Sequence, residues 1–581
     1  VQRGAVARTL APATLALALA ACADDAAPTS VDTHVDDWRD HVIYQVVVDR
    51  FADGAQPLVD DPAAPVPGEL SRWQGGDWRG LRARLDYLED LGVTALWISP
   101  IVRQVPRGDT QDGYHGYWAA DFTSLEPRFG DEAELRALID DAHARGMLVI
   151  VDVVINHAGR VFDYDLDDDG AVAPDEVEPP FAATTPYEAP LVWRGERPRL
   201  WREVPGASDD GADVTVEARA LADDEFHRRG ATEDFSLEVQ RELGDFPTGL
   251  RDLDTEAPGV IDDLATTWAT WIARLDLDGL RLDAAPHVPR ASWRVFAERL
   301  RARAAALGKD RLLLLGEVWN GDPAVLASYT DEGALDAAFD FSLKWDVIDG
   351  FLLDGRAAAD VAAVLTTHRE AYPATGHPGG AGLDPWRLRV AFADNHDTGR
   401  LRGQLDDAYV AELAMTLVFT VDAIPCVYYG TEQELTGRTG HAAREPLWDT
   451  GYARGTRMYR HLARLAAIRA AHPALRRGAL TLRYASETSA RERGPGVGLL
   501  AFERGGAAGA DDAAEVGADR VLVALNGHPA DDAIATVPTG FAPGTALVDL
   551  LDPAAHAVTV AADGTVAVTV PPRAARLYAA R

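Results

Sequence analysis

The chain has 581 residues, a formal net charge of −36, 47% hydrophobic residues and 25% charged residues. That composition excludes a disordered chain, and that length allows several domains or one large barrel with additions. So large an excess of carboxylates repels phosphate backbones, which sets nucleic-acid binding aside. What it favours is a strongly solvated surface and a supply of oxygen ligands for calcium. The two cysteines, Cys22 and Cys426, make no disulfide framework. Cys426 sits in the apolar run I-P-C-V-Y-Y, where a buried thiol is expected.

In chain order the first element is a leader. Arg3 and Arg8 precede an apolar stretch, Leu10 to Ala21, that is too short to span a bilayer comfortably. It ends in Leu19-Ala20-Ala21-Cys22, which resembles the lipobox of bacterial lipoproteins. The resemblance implies a signal peptide over 1–22, acylation of Cys22, and an extracytoplasmic lipoprotein that meets the membrane through that anchor alone. An ordinary secretory leader is the alternative. Residues 23–39 read as a polar tether.

Beyond residue 40, apolar runs alternate with amphipathic stretches. The strand-like runs are 42–51, 95–101, 147–157, 278–285, 311–319, 334–341, 388–396 and 424–430. Continuous apolar strands suit a parallel sheet covered on both faces. Between them lie helices such as 131–145, whose Leu135, Leu138, Ile139 and Ala142 repeat at helical spacing. Eight strands with intervening helices predict an α/β fold, a (β/α)8 TIM barrel. The connection over 158–250 is too long for a loop and reads as an inserted, calcium-binding domain. The barrel is thus split into 40–157 and 251–474, and 452–469 reads as a late helix. From 475 to 581 the pattern turns to short strands, such as 520–526 and 565–570, which predict an all-β domain of sandwich type. Residues 504–518 read as an exposed loop.

Barrel enzymes carry their chemistry at the C-terminal ends of the strands. Arg281 and Asp283 stand at the fourth strand's end, spaced two apart and hence on one face. An arginine beside an aspartate favours the ionised form that a nucleophile requires. Glu317 ends the fifth run, and Asn395, His396 and Asp397 end the seventh. Singly, each has an ordinary explanation: a strand-end aspartate caps a helix, a lone histidine packs in a core.

Together they resemble a known family. D-V-V-I-N-H (152–157), G-L-R-L-D-A-A-P-H (279–287), G-E-V-W (316–319) and F-A-D-N-H-D (392–397) resemble the four main motifs of the α-amylase family of glycoside hydrolases, in the family's order. Further matches are G-V-T-A-L-W-I-S-P (92–100), Y-H-G-Y-W-A-A-D (114–121), L-R-D-L-D-T (250–255) and I-P-C-V-Y-Y-G-T-E-Q (424–433). The resemblance implies retaining hydrolysis of α-1,4-glucosidic bonds in starch or maltodextrins. Asp283 is then the nucleophile, Glu317 the acid/base and Asp397 the carboxylate that steadies the distorted sugar. Two such carboxyls stand about 5 Å apart when configuration is retained. Tyr117 is implied to stack on the sugar, and His115, His157, Arg281 and His396 to hold its hydroxyls or the nucleophile. The sequence departs from many starch-acting members at Pro286, where they carry lysine; the grip on the leaving-group side is altered there. A glucanotransferase or cyclomaltodextrinase would use the same three carboxylates, and a non-catalytic glucan-binding lipoprotein would have no use for the acid. The chain is read as a monomer whose partner is an α-glucan.

Two calcium sites are expected. Residues 165–176 place Asp165, Asp167 and Asp169 at positions 1, 3 and 5, Gly170 at 6 and Glu176 at 12 of an EF-hand loop pattern, without two long flanking helices. The family resemblance implies a second Ca2+ held by Asn156, Asp252 and the backbone carbonyl of His287. A weaker third resemblance involves Asp53 with Gly75-Gly76-Asp77.

Overall fold

The computed structural model describes residues 31–55, 64–205, 214–404, 407–552, 554 and 557–581. Eight parallel strands form its centre: β1 (Ile43–Val46), β2 (Ala95–Ile98), β3 (Leu148–Val153), β4 (Gly279–Leu282), β5 (Leu313–Gly316), β6 (Ala337–Ala338), β7 (Val390–Phe392) and β8 (Ile424–Tyr428). They pair in the order β6-β5-β4-β3-β2-β1-β8-β7, and a parallel bridge between Phe339 and Val390 joins the two ends of the sheet into a barrel.

Side-chain parity decides what each strand shows to the barrel interior. Ile43, Ala95, Trp97, Leu148, Ile150, Leu313, Leu315, Val390, Phe392, Ile424 and Cys426 form one cluster inside. Their neighbours Tyr44, Leu96, Val149, Leu280, Leu314 and Val427 belong to the core between strands and helices. Following the inward parity up each strand leads to Gln45, Asp152, Arg281, Glu317 and His396. The strands are shorter than the apolar runs that announce them, because each run continues past its last ladder bond into the loop that carries polar groups.

The helix expected over 131–145 spans Glu132–His143. Asp131 caps it, Glu134 completes the capping box, and Leu135, Leu138, Ile139 and Ala142 are its buried face. The late helix is Arg457–Ala471, capped by Thr456, so its first turn lies further along than the sequence pattern predicts.

Between β3 and β4 the chain makes two antiparallel pairs, Phe162–Tyr164 with Leu191–Trp193 and Arg199–Pro205 with Val214–Ala220. Arg251, fully buried, ties this insertion together. It donates to Asp245 at 2.6 Å, Asp163 at 3.2 Å and the carbonyls of Phe162 and Val177. His157–Ala158 pairs with Arg251–Asp252 where the insertion leaves and rejoins the barrel.

After residue 477 a six-stranded antiparallel sheet is covered by the antiparallel pair Ala533–Pro538 with Thr565–Val570, around a separate apolar cluster. Residues 504–518 are not the exposed loop that their composition suggests. A strand runs to Ala507, Arg504 is fully buried, and Asp512 is buried against Arg39. Residues 31–39 also differ from expectation. Val35 and Trp38 are buried inside the barrel cluster, so this part of the expected tether closes the barrel's N-terminal mouth. Cys22 lies outside the described residues. Among those residues no helix is long and apolar enough to cross a membrane.

Candidate active site

At the C-terminal mouth, the Arg281 guanidinium organises the site. Nη1 lies 2.8 Å from Asp152 Oδ1 and 2.7 Å from Asp283 Oδ1; Nη2 lies 2.7 Å from Glu317 Oε1. One fully buried cation is thus shared by three carboxylates from three successive strand ends. Ala284, next to Asp283, takes a left-handed backbone with φ 48° and donates its N–H to Glu317 Oε2 at 3.1 Å. A non-glycine residue is held there only when its surroundings impose the turn.

The opposite wall carries Asp397, whose exposed carboxylate accepts from Arg444 Nη2 at 3.0 Å and lies 2.9 Å from His396 Nε2. That histidine nitrogen is close enough for an ion pair but has no aligned hydrogen-bond partner among the described residues. Its Nδ1 is 2.6 Å from the side-chain amide of Gln45. The Tyr117 ring stacks on His396, with centroids 5.1 Å apart, and on His115, 5.6 Å apart. The Tyr117 hydroxyl donates to Asp152 Oδ2 at 2.8 Å, and its carbonyl lies 3.2 Å from His157 Nε2. Gly116 makes this arrangement possible. Its φ is 92°, and a Cβ there would stand 2.7 Å from the Pro100 ring.

The eight residues that the sequence singles out for catalysis and sugar contact therefore converge on one cleft. Three others belong to it and were not singled out. Asp152 bridges Arg281, Tyr117 and Trp97, the last donating from Nε1 at 3.0 Å. Gln45 holds His396, and Arg444 holds Asp397 and, at 3.0 Å, the carbonyl of His396. Asp152 opens a recognisable motif and faces inward by parity, so it was open to detection. Arg444 comes from a loop with no pattern to mark it.

The electrostatics separate the carboxylates. Burial raises both Asp283 and Glu317. The Arg281 charge opposes this, while neighbouring carboxylates reinforce it. Three carboxylates around one guanidinium leave an excess of negative charge that retains a proton. Asp397 moves the other way: although its carboxylate opens onto the cleft, desolvation by the surrounding walls would raise it, but His396 and Arg444 outweigh that and hold it well below the usual carboxylate range. Burial lowers His115, and pushes His157 down to about 3, so both rings stay neutral near pH 7.

A family model described as "Alpha amylase, catalytic domain" matches residues 45–457. The chain belongs to the α-amylase family. It is 32% identical over 552 residues to an α-amylase of Streptomyces lividans, an alignment covering 88% of this chain and 56% of that protein. The chain thus spans little more than half the length of the curated relatives it matches first. Among solved structures it resembles an α-amylase from Malbranchea cinnamomea, with a TM-score of 0.70, 26% identity and coverage of 94% of this chain and 97% of that one. It also resembles the α-amylase of Geobacillus thermoleovorans solved with acarbose, with a TM-score of 0.68, 26% identity and coverage of 94% and 99%.

One group of acidic residues able to hold a metal lies within the insertion after β3. Ligand atoms of Asp165, Asp167 and Glu176 fall within 4.8 Å of one another. Gly170, with φ 80°, and Asp168, with φ 57°, turn the loop. Asp169 is outside this group; its Oδ1 accepts from Ala171 N at 2.7 Å. A short strand and the four-residue helix Pro174–Val177 flank the loop, so long EF-hand helices are absent here. Asn156 and Asp252 are brought together at the neck, where Leu253 N donates to Asn156 O at 2.9 Å. Asp252 is buried, with Oδ2 on His227 and Oδ1 without a hydrogen-bond partner among the described residues, an orphaned oxygen that suits a hard cation. His287 lies in the turn after β4, its Nδ1 3.0 Å from the carbonyl of Arg241. At the weaker third grouping, Asp77 caps its helix through Gly80 N and accepts from Gly54 N, and Asp53 accepts from Ala55 N.

Proposed function

We propose that this protein hydrolyses α-1,4-glucosidic bonds of starch or maltodextrins with retention of configuration. The observation that carries the reading is the Arg281 fork, which presents Asp283 and Glu317 side by side while Asp397 stands on the opposite wall. Asp283 attacks the anomeric carbon as the glycosidic C–O bond breaks. Glu317 passes its proton to the leaving oxygen, then takes one from the water that releases the sugar from Asp283. Excess negative charge around Arg281 supports a proton resident at this pair. The ionised Asp397 is suited to the positive charge that develops on the sugar ring. Tyr117 offers its face to the apolar side of glucose, and the neutral His115 and His157, together with His396, offer nitrogens to hydroxyls. On the leaving-group side, Arg241 donates from Nε to the carbonyl of Pro286 at 3.0 Å and brings a cation beside the position where other members carry lysine.

The residues at the two acidic groups fit Ca2+. Asp165, Asp167 and Glu176 would hold one ion, and Asn156, Asp252 and the His287 carbonyl another, supplying structural cross-links at the insertion. The leader ending at Cys22 supports an extracytoplasmic, lipid-anchored protein.

The test is proton NMR of the first products released from maltoheptaose. Retention gives products that appear in the α configuration and then mutarotate. Products that first appear as the β anomer would refute the nucleophilic role of Asp283.

A further inference from the structure

The end of the barrel opposite the cleft carries a second constellation of titratable groups. His34 comes from the N-terminal segment, His143 from the last turn of Glu132–His143, Asp276 and Asp278 from the turn before β4, and Lys309 from the turn before β5. His34 Nε2 lies 2.9 Å from Asp276 Oδ2, and His143 Nε2 lies 2.8 Å from Asp278 Oδ2. The two imidazoles stack with centroids 3.8 Å apart. Lys309 Nζ takes the remaining oxygens, at 2.7 Å from Asp276 Oδ1 and 3.0 Å from Asp278 Oδ1. Asp276 is held in a left-handed turn, φ 60°, at the end of the helix Pro258–Leu275. One ligand atom from each of His34, His143 and Asp276 lies within 4.8 Å of the others.

We propose that His34, His143 and Asp276 form a site for a divalent transition ion of the Zn2+ type, and that this ion clamps the N-terminal segment onto the barrel floor. Two imidazoles and a carboxylate select Zn2+ over Ca2+, which prefers oxygen throughout. His143 already has the support that metal-bound histidines show: a buried carboxylate, Asp278, fixes one ring nitrogen and leaves the other available. Two carboxylates against one ammonium leave a net negative charge when both rings are neutral. Tetrahedral ligands about 2 Å from Zn2+ stand roughly 3.3 Å apart, so the ligand atoms draw together from within 4.8 Å and the exposed His34 ring turns to meet the ion. His34 is exposed, which gives the ion an entry path and a position for water.

The segment is already seated without the ion. Trp38 Nε1 donates to the carbonyl of Arg311 at 2.9 Å, and Lys309 Nζ to that of Asp32 at 2.7 Å. A metal bond would fasten the strip of chain that the leader and expected anchor run into.

The experiment uses the full chain, stripped with chelator and then saturated with Ca2+. Calorimetric titration with Zn2+ should show one ion that excess Ca2+ does not displace, and Co2+ in its place should give visible absorption bands of nitrogen and oxygen coordination. His34→Ala, on the exposed flank, should weaken this ion at least about tenfold and abolish the Co2+ bands. Asp276→Asn, which keeps the side-chain shape, should do the same. The proposal is overturned if the Ca2+-saturated wild type takes up no Zn2+, or if His34→Ala binds it with unchanged stoichiometry and affinity.

Discussion

The two mouths of the barrel are built from the same eight strands and are opposite in character. At the C-terminal mouth one guanidinium serves three carboxylates, Arg281 Nε and His396 Nε2 have no aligned hydrogen-bond partner among the described residues, and Ala284 sits in a left-handed turn. At the N-terminal mouth, Val35 and Trp38 fill the opening, and the one ammonium, Lys309, is shared between two carboxylates and two carbonyls. The first arrangement spends stability on poised, undersatisfied groups; the second satisfies its groups and supplies stability. Activity and stability thus reside at opposite ends of one sheet, and exchanging the perturbation between ends should exchange the phenotype.

The largest expected effects test that separation directly. Asp283→Asn and Glu317→Gln should each lower kcat by several orders of magnitude, about 1.4 kcal/mol of barrier per factor of ten, while the far-ultraviolet spectrum and binding of maltoheptaose persist. Turnover near the wild-type rate in either variant would dissolve the assignment. Trp38→Ala is the counterpart at the floor. A buried tryptophan replaced by alanine costs about 3–5 kcal/mol of stability. Urea unfolding should show the loss, while kcat measured well below the transition should stay within about twofold of wild type. A large fall in kcat for the folded variant would mean that the floor and the cleft are coupled.

The contrast also explains which parts of the molecule were legible in the sequence. The cleft was legible because its chemistry demands particular residue types at strand ends, and strands put them in fixed register. Arg281 and Asp283 share a face by spacing, and Glu317 and His396 extend the inward parity of β5 and β7. The barrel followed from the same apolar runs, and strands 520–526 and 565–570 lie where their alternation put them. The floor was not legible. His34, His143, Asp276, Asp278 and Lys309 come from four separate stretches, each polar and unremarkable alone. Residues 31–39 read as tether because only Val31, Val35 and Trp38 carry apolar weight among polar neighbours. Residues 504–518 misled for a related reason: Arg504 is buried by donating to the carbonyls of Thr420, Val421 and Gly478, a burial that composition does not announce. Arg444 was missed because its partner, Asp397, is reached only through the fold.

The insertion lies between these extremes, and calcium should tune it. Chelation should lower the melting temperature, and Ca2+ should restore it better than Mg2+, which prefers six short and rigid oxygen contacts. An ion bound only to the folded state contributes about 2.7 kcal/mol at a hundredfold excess over its dissociation constant. Asp167→Ala changes an exposed member of the Asp165, Asp167, Glu176 group and should remove one ion while the neck site at Asn156 and Asp252 stays filled. Elemental analysis after gel filtration in trace calcium measures this. Equal metal content in variant and wild type would make the loop an acidic turn.

The smallest predicted effect is the most diagnostic of the cleft's cost. Asp283 and Glu317 both have raised proton affinity in the folded state, first through burial and further through neighbouring carboxylates. A carboxyl whose folded pKa exceeds its unfolded value binds more protons folded than unfolded, so folding loses stability as pH rises through that window. Removing the charge removes the loss. Asp283→Asn and Glu317→Gln should therefore melt higher than wild type at neutral pH, by on the order of 1 kcal/mol or about 2 °C. The gap should close as pH falls toward the ordinary carboxylate range, where the wild-type groups are protonated in both states. Asp397 predicts the opposite. His396 and Arg444 hold its folded pKa below the unfolded value, so its contribution is present above the unfolded pKa and is lost as pH falls through the folded one. Asp397→Asn should melt lower than wild type at neutral pH, and the difference should vanish only in strong acid. Scanning calorimetry of the three variants from pH 7 to pH 3 reads all of this. If the three shifts share one sign, the proton at the Arg281 fork is not shared as its geometry requires, and the division between a costly mouth and a stabilising floor fails at its active end.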